Sequence, residues 1–207
     1  MVLNAFKGGV NMVLHPSRET HAKLGVKEAL VMYYKFALVS MGLTAIASFF
    51  ALIALPSALA YVPANSLINN SISQTVAVYR QYLISLIITP AFVPIALLIV
   101  AGLIHIAGKA FRLFEGDFSR TFAAVVYAEF ASLLFWFAIV LGVIGSIVYF
   151  IALLYGVYVL VVGLSKQHST SITGAFVPVL VAFAFLVVVV MVFASAFAAA
   201  AGVAAPK

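Results

Sequence analysis

Residues 102–130, GLIHIAGKAFRLFEGDFSRTFAAVVYAEF, read as the end of one membrane-spanning helix, a short charged turn and the start of the next. Lys109, Arg112, Glu115, Asp117, Arg120 and Glu129 crowd into this stretch, with His105 just before them, while long apolar segments lie on either side. The chain as a whole is 66% hydrophobic and 8% charged, with a mean hydropathy of +1.26. Soluble domains are about 25% charged. A soluble fold of 207 residues could not hide that much apolar surface, so most of it must meet lipid or other spans.

Working outward, the hydrophobic runs predict an all-α integral membrane protein. It is a bundle of five transmembrane helices preceded by an amphipathic interfacial helix. The predicted spans cover about 33–59, 83–114, 120–142, 146–165 and 172–200, within a transmembrane domain of 29–207. Each is near or above the roughly 20 residues that a bilayer crossing needs. From Phe122 to Leu164 there are 43 residues without a Lys, Arg or Asp. That is too long for one span, and Gly142, Gly145 and Ser146 are the expected break. Pro90 and Pro94 should kink the second span or delay its start. Residues 61–78 are polar but nearly uncharged and read as a loop, with a glycosylation sequon at Asn69.

In the segment 1–28, Val2, Leu3, Phe6, Val10, Val13 and Leu14 recur at helical spacing. This suits a helix lying on the membrane surface, although Gly8 and Gly9 weaken it and leave a flexible tail as the alternative. The charge pattern and the lack of a small-residue cleavage site argue against a signal peptide. With no cysteine in the chain, disulfides, thiolate metal sites and cysteine nucleophiles are excluded.

Positive charge sets the orientation. Lys7, Arg18, Lys23, Lys27, Lys35, Lys109, Arg112, Arg120 and Lys166 fall on one face, against Arg80 and Lys207 on the other. By the positive-inside rule the N-terminus is cytoplasmic and the C-terminus outside, in a plasma-membrane protein. The same asymmetry accounts for the pI of about 9.7. The basic residues touch anionic lipid, and no nucleic acid is needed.

Glu129 is the most informative residue. Acidic groups inside spans are costly, avoid lipid and usually have a partner. Taking Asp117 as the middle of the turn, His105 lies twelve residues before it and Glu129 twelve after, so the two should share a depth. Lys109 and Arg112 follow His105 on one helix face. An intramembrane polar cluster of His105, Lys109, Arg112 and Glu129 results. It reads either as a structural tie within the hairpin or as a proton or cation site. Tyr127, Trp136, Tyr155 and Tyr158 read as packing or belt aromatics, Tyr33 and Tyr34 as an inner belt, and Tyr79 and Tyr82 as an outer one. His15, His21 and His168 would bind metal only if all three converged, and solvated loop histidines are the simpler reading. No cofactor site and no enzyme signature is found: Gly-x-Ser-x-Gly, a phosphate loop and His-Glu-x-x-His are all missing.

The order of features resembles the Yip-type family, five-span membrane proteins named for interaction with Ypt/Rab GTPases. His15-Pro16-Ser17-Arg18-Glu19-Thr20 is similar to its proline-containing segment before the first span. The stretch His105 to Arg120 resembles its charged turn, and Val126-Tyr127-Ala128 its third span. Gly163-Leu164 with His168 and Gly174-Ala175 resembles the junction of the last two spans. The Asp-Leu-Tyr-Gly-Pro motif of the eukaryotic branch is missing, which favours a prokaryotic-like relative. Where the family tends to carry a proline after the third-span tyrosine, this chain has Glu129-Phe130. The resemblance implies a cytoplasmic N-terminus, five spans and a non-enzymatic role as a scaffold, membrane-organising factor or accessory subunit. Its partners would be lipid and either a second copy or other membrane subunits. A small proton- or cation-coupled transporter or channel using Glu129 and His105 is the alternative.

Overall fold

The computed structural model describes residues 10–11, 13–16, 24–59, 88, 91–136, 138 and 142–200, and every regular element among them is helical. Five of these helices are long and apolar enough to cross a bilayer: α1 (Val26–Leu59), α2 (Ala91–Ala110), α3 (Phe118–Phe135), α4 (Gly142–Gln167) and α5 (Ile172–Ala200). The loop with Asn69, the belt residues Tyr79 and Tyr82, and also Pro90, Arg80 and His21 lie outside the described residues.

α3 is the shortest of the five and the centre of the bundle. Its 18 residues rise about 27 Å, near the short end of what crosses a hydrocarbon core of about 30 Å. It packs on α1 and α4, and α4 in turn packs on α5. Small residues bring the backbones together: a Cβ added at Gly156 of α4 would sit 3.2 Å from the Ala128 carbonyl oxygen. Such close approach is how helices associate where lipid removes the hydrophobic drive.

Against α1, Phe36 stacks on Phe130 with centroids 4.4 Å apart, and Ser40 Oγ donates to the Leu133 carbonyl. These pairings make α1 parallel to α3. On α1 the buried Ala29, Tyr33, Phe36, Ala37, Ser40, Thr44 and Ser48 form one helical stripe. Tyr33 therefore belongs to the core and not to an aromatic belt, while Tyr34 beside it is exposed.

Between α3 and α4 the structure departs from the expected break. Helix α3 stops at Phe135, where the Trp136 N–H turns back to the Leu133 carbonyl, and α4 begins at Gly142. Gly145 and Ser146 lie inside α4, because an isolated glycine in an apolar helix is tolerated once neighbours pack against it. The described part of the N-terminal segment is helical, as the spacing predicts, but it is docked on the bundle. Val13 is buried, Tyr155 Oη donates to its carbonyl at 2.6 Å, and Lys166 Nζ donates to the Pro16 carbonyl at 3.1 Å. Val13 and Leu14 line a cavity with Phe135, Val148, Ile151 and Ala152, so this short helical stretch is seated against α3 and α4. Side-chain donors on α4 satisfy backbone carbonyls that lipid could not.

The charged turn and the α4–α5 turn are built alike. At the end of α2, Arg112 takes a left-handed φ of 56°, the Leu113 N–H reaches the Gly108 carbonyl at 2.8 Å and the Arg112 N–H reaches Lys109 at 3.0 Å. This is a Schellman turn with arginine in the place glycine usually holds. At the end of α4, Ser169 has φ 53° and the Thr170 N–H reaches the Ser165 carbonyl at 3.0 Å. Ser171 Oγ then accepts the Gly174 N–H at 3.0 Å and caps α5.

Candidate functional site

The two turns meet at a histidine–threonine–histidine junction. Its geometry follows from where α2 ends. The Schellman turn closes α2 at Ala110, and the residues that meet across the hairpin are centred on Leu113, four residues earlier than Asp117. His105 and Thr121 each lie eight residues from that centre, and His105 Nδ1 is 2.8 Å from Thr121 Oγ1. The same hydroxyl lies 2.9 Å from Nε2 of His168, which stands at the end of α4. The Gly116 N–H approaches His168 Nδ1 at 3.3 Å.

Proton positions follow from the one donor that cannot change. A backbone N–H only donates, so His168 Nδ1 is an acceptor and neutral His168 carries its hydrogen on Nε2. His168 Nε2–H donates to Thr121 Oγ1, which leaves the threonine hydrogen to donate to His105 Nδ1. A second proton on His168 would set an N–H against the Gly116 N–H. Burial pushes the His168 pKa down to about 4, and the nearby His105, Arg120 and Lys109 add to the shift.

Packing holds the rings in place. Phe114 stacks on His168 with centroids 4.0 Å apart and planes 4° from parallel, and Phe118 stands edge-on to His105 at 5.8 Å. Phe114 can fold back only because residue 108 is glycine, since a Cβ there would overlap the ring. Arg120 lies across Gly116 and its Nη1 donates to the Gln167 carbonyl at 3.2 Å, a second tie between the turns.

The four residues of the expected cluster therefore separate. His105 is bonded to Thr121, while Glu129 lies eight residues further along α3, about 12 Å away at 1.5 Å per residue. Lys109 is exposed on the last turn of α2, and Arg112 has left the helix altogether. Glu129 faces a cavity whose wall includes Leu97, and both residues are sixteen from Leu113. Glu129 and His105 therefore lie at different depths. Among the aromatics, Tyr127 is buried edge-on to Phe130 at 5.9 Å. Tyr155 holds Val13 and lies 5.7 Å from the exposed Tyr158, and Trp136 caps α3. Among the described residues no three His, Asp or Glu side chains gather as metal ligands, and His168 is occupied by Thr121 and Gly116.

Sequence reasoning missed Thr121 and the role of His168. The available signal was positional: two histidines, each next to a helix end at a charged turn, and a threonine opposite one of them.

The Yip1 domain model matches residues 11–195, nearly the whole chain and all of this junction, so the chain belongs to the Yip1-domain family. No curated protein matches it, and no solved structure matches it.

Proposed function

We propose that this Yip1-domain protein is a non-enzymatic scaffold or accessory subunit of the plasma membrane. Its N-terminus and charged end face the cytoplasm and its C-terminus lies outside. Nine Lys and Arg against two support that orientation. One observation carries the functional reading. The groups best suited to chemistry at the charged end, His105, Thr121 and His168, are bonded to one another and to backbone. They fasten two turns into a single surface, from which the exposed Arg112, Glu115 and Asp117 project. Such a surface can hold anionic lipid and a protein subunit at once.

Two measurements test the reading. Single cysteines at Ser17, Asp117 and Gln167 should be shielded from an impermeant thiol reagent in intact cells, while one at Ser71 is labelled. The reverse pattern would invert the orientation. A photo-crosslinker at Glu115 should capture a membrane protein that copurifies in mild detergent. Proton- or cation-coupled uptake by the purified protein alone, abolished by Glu129→Gln, would refute the scaffold reading.

A further inference from the structure

Between α2 and α4, against one face of α3, lies a cavity of about 240 Å³. Its walls are Leu97 and Val100 of α2, Val125 of α3, and Leu153, Val157 and Leu160 of α4. The only ionisable side chain in this lining is Glu129, with the Ser132 hydroxyl beside it. Ser132 Oγ donates to the Glu129 backbone carbonyl at 2.8 Å and also lies within hydrogen-bonding reach of the carboxyl, whose remaining lone pairs face the cavity. Among the described residues no Lys, Arg or His pairs with the carboxyl, and Tyr33 and Tyr149 are the phenols within electrostatic reach. Leu97 and Leu160 are buried while Leu153 and Val157 are 41% and 44% exposed, so the cavity opens sideways between α2 and α4. That flank of the bundle is apolar, and a molecule would enter from the bilayer.

A carboxyl in such a place is expensive and ordinarily marks a site of use. From these facts we infer that the cavity binds a membrane-dissolved, single-chain amphiphile whose hydroxyl headgroup is held by Glu129. A hydroxyl both donates and accepts, so it satisfies the carboxyl in either protonation state. An ammonium could pair with a carboxylate, but it would first have to give up its water at mid-span depth, at a cost such pairs often fail to recover. The volume is below the usual range for drug-sized ligands, roughly 300–1,000 Å³. It fits a headgroup and the first few carbons, with the remaining chain passing between Leu153 and Val157 into lipid.

The test uses the full chain in vesicles of phosphatidylcholine. The probe is a 16-carbon alcohol with a diazirine near its hydroxyl end; a matched alkane and a matched amine carry the same group. A hydrogen bond to a carboxyl should give the alcohol about tenfold more labelling than the alkane. The label should map to peptides containing Leu97, Leu153 and Val157. Glu129→Leu should reduce alcohol labelling to the alkane level. Val157→Trp changes a half-exposed position and leaves the carboxyl intact, so it should fold and block the mouth. If Glu129→Leu does not fold, competition by unlabelled hexadecanol and the Val157→Trp result still decide the matter. Equal labelling by alcohol and alkane, stronger labelling by the amine, or undiminished labelling of Val157→Trp would each overturn the proposal.

Discussion

Helices α3 and α5 are opposites. Over an 18-residue apolar window of each helix, 61% of the positions in α3 are buried inside the protein, against 11% in α5. Yet α5 is the most apolar of the five spans and α3 the least. Helix α3 carries Arg120, Thr121, Glu129 and Ser132, whereas α5 beyond Ala182 buries none of its described side chains. In water the more hydrophobic helix would be the core. In a bilayer the lipid tails are as apolar as leucine, so apolarity gives no reason to leave them. Polar groups and close backbone packing select the centre instead.

The largest expected effect tests that central position. Phe130 is fully buried and stacked on Phe36. Truncating such a side chain in a soluble core costs about 3–5 kcal/mol. Here lipid substitutes for part of the transfer term, and Phe130→Ala should cost roughly 2–3 kcal/mol, chiefly from lost packing. Unfolding in mixed micelles would measure it. A cost near zero would mean that α3 is not the helix the others are built on.

The next effect comes from the junction. Thr121→Val removes the hydroxyl between two imidazoles, and buried groups left unsatisfied cost about 1–3 kcal/mol. The junction should also make stability pH-dependent. A histidine in the unfolded chain takes up its proton near pH 6.5, whereas folded His168 resists until about pH 4. The unfolded state thus binds the proton first. This contribution is complete above about pH 6.5 and is lost as the pH falls toward 4. His168→Phe should flatten that acid slope of the unfolding midpoint, and an unchanged slope would place the titration elsewhere.

Part of this architecture was legible in the sequence. The long apolar runs and the charged turn announce five spans, but the small residues of the final run suggest close helix packing, and its exposure to lipid was not legible. The apolar surroundings of Glu129 were not legible. Counting depth requires the centre of the hairpin, and an arginine at 112 does not advertise the left-handed turn that normally calls for glycine. Moving the centre from Asp117 to Leu113 pairs His105 with Thr121 and places Leu97 opposite Glu129. Thr121 itself gives no periodic signal within an apolar helix. His168 looks like an exposed loop residue until Phe114 is known to cover it.

A smaller effect checks that turn directly. A non-glycine residue in the left-handed region costs roughly 1–2 kcal/mol, part of which a flexible glycine returns in unfolded-state entropy. Arg112→Gly should therefore raise stability by up to about 1 kcal/mol. Glycine at 112 keeps the backbone bonds to Gly108 and Lys109, so His105 and Thr121 should stay in register. A loss of stability would mean that the arginine side chain contributes more than its backbone strain costs.

The smallest effect belongs to α5. Phe193 is 72% exposed and Val188 57%. If lipid alone covers this surface, each side chain meets the same apolar surroundings whether or not the helix is docked. Replacing either residue by alanine should then change stability by less than about 0.5 kcal/mol, as for surface positions generally. Alanine's higher helix propensity could even offset the lost contacts. The measurement is best made at two protein-to-detergent ratios. A cost above about 1 kcal/mol that grows with protein concentration would show a second chain on this face, because binding to the folded state stabilises it by mass action. In that case α5 would be an interface whose partner is a separate subunit. Its low burial would then describe one isolated chain, and the contrast with α3 would be one of which chain covers each helix.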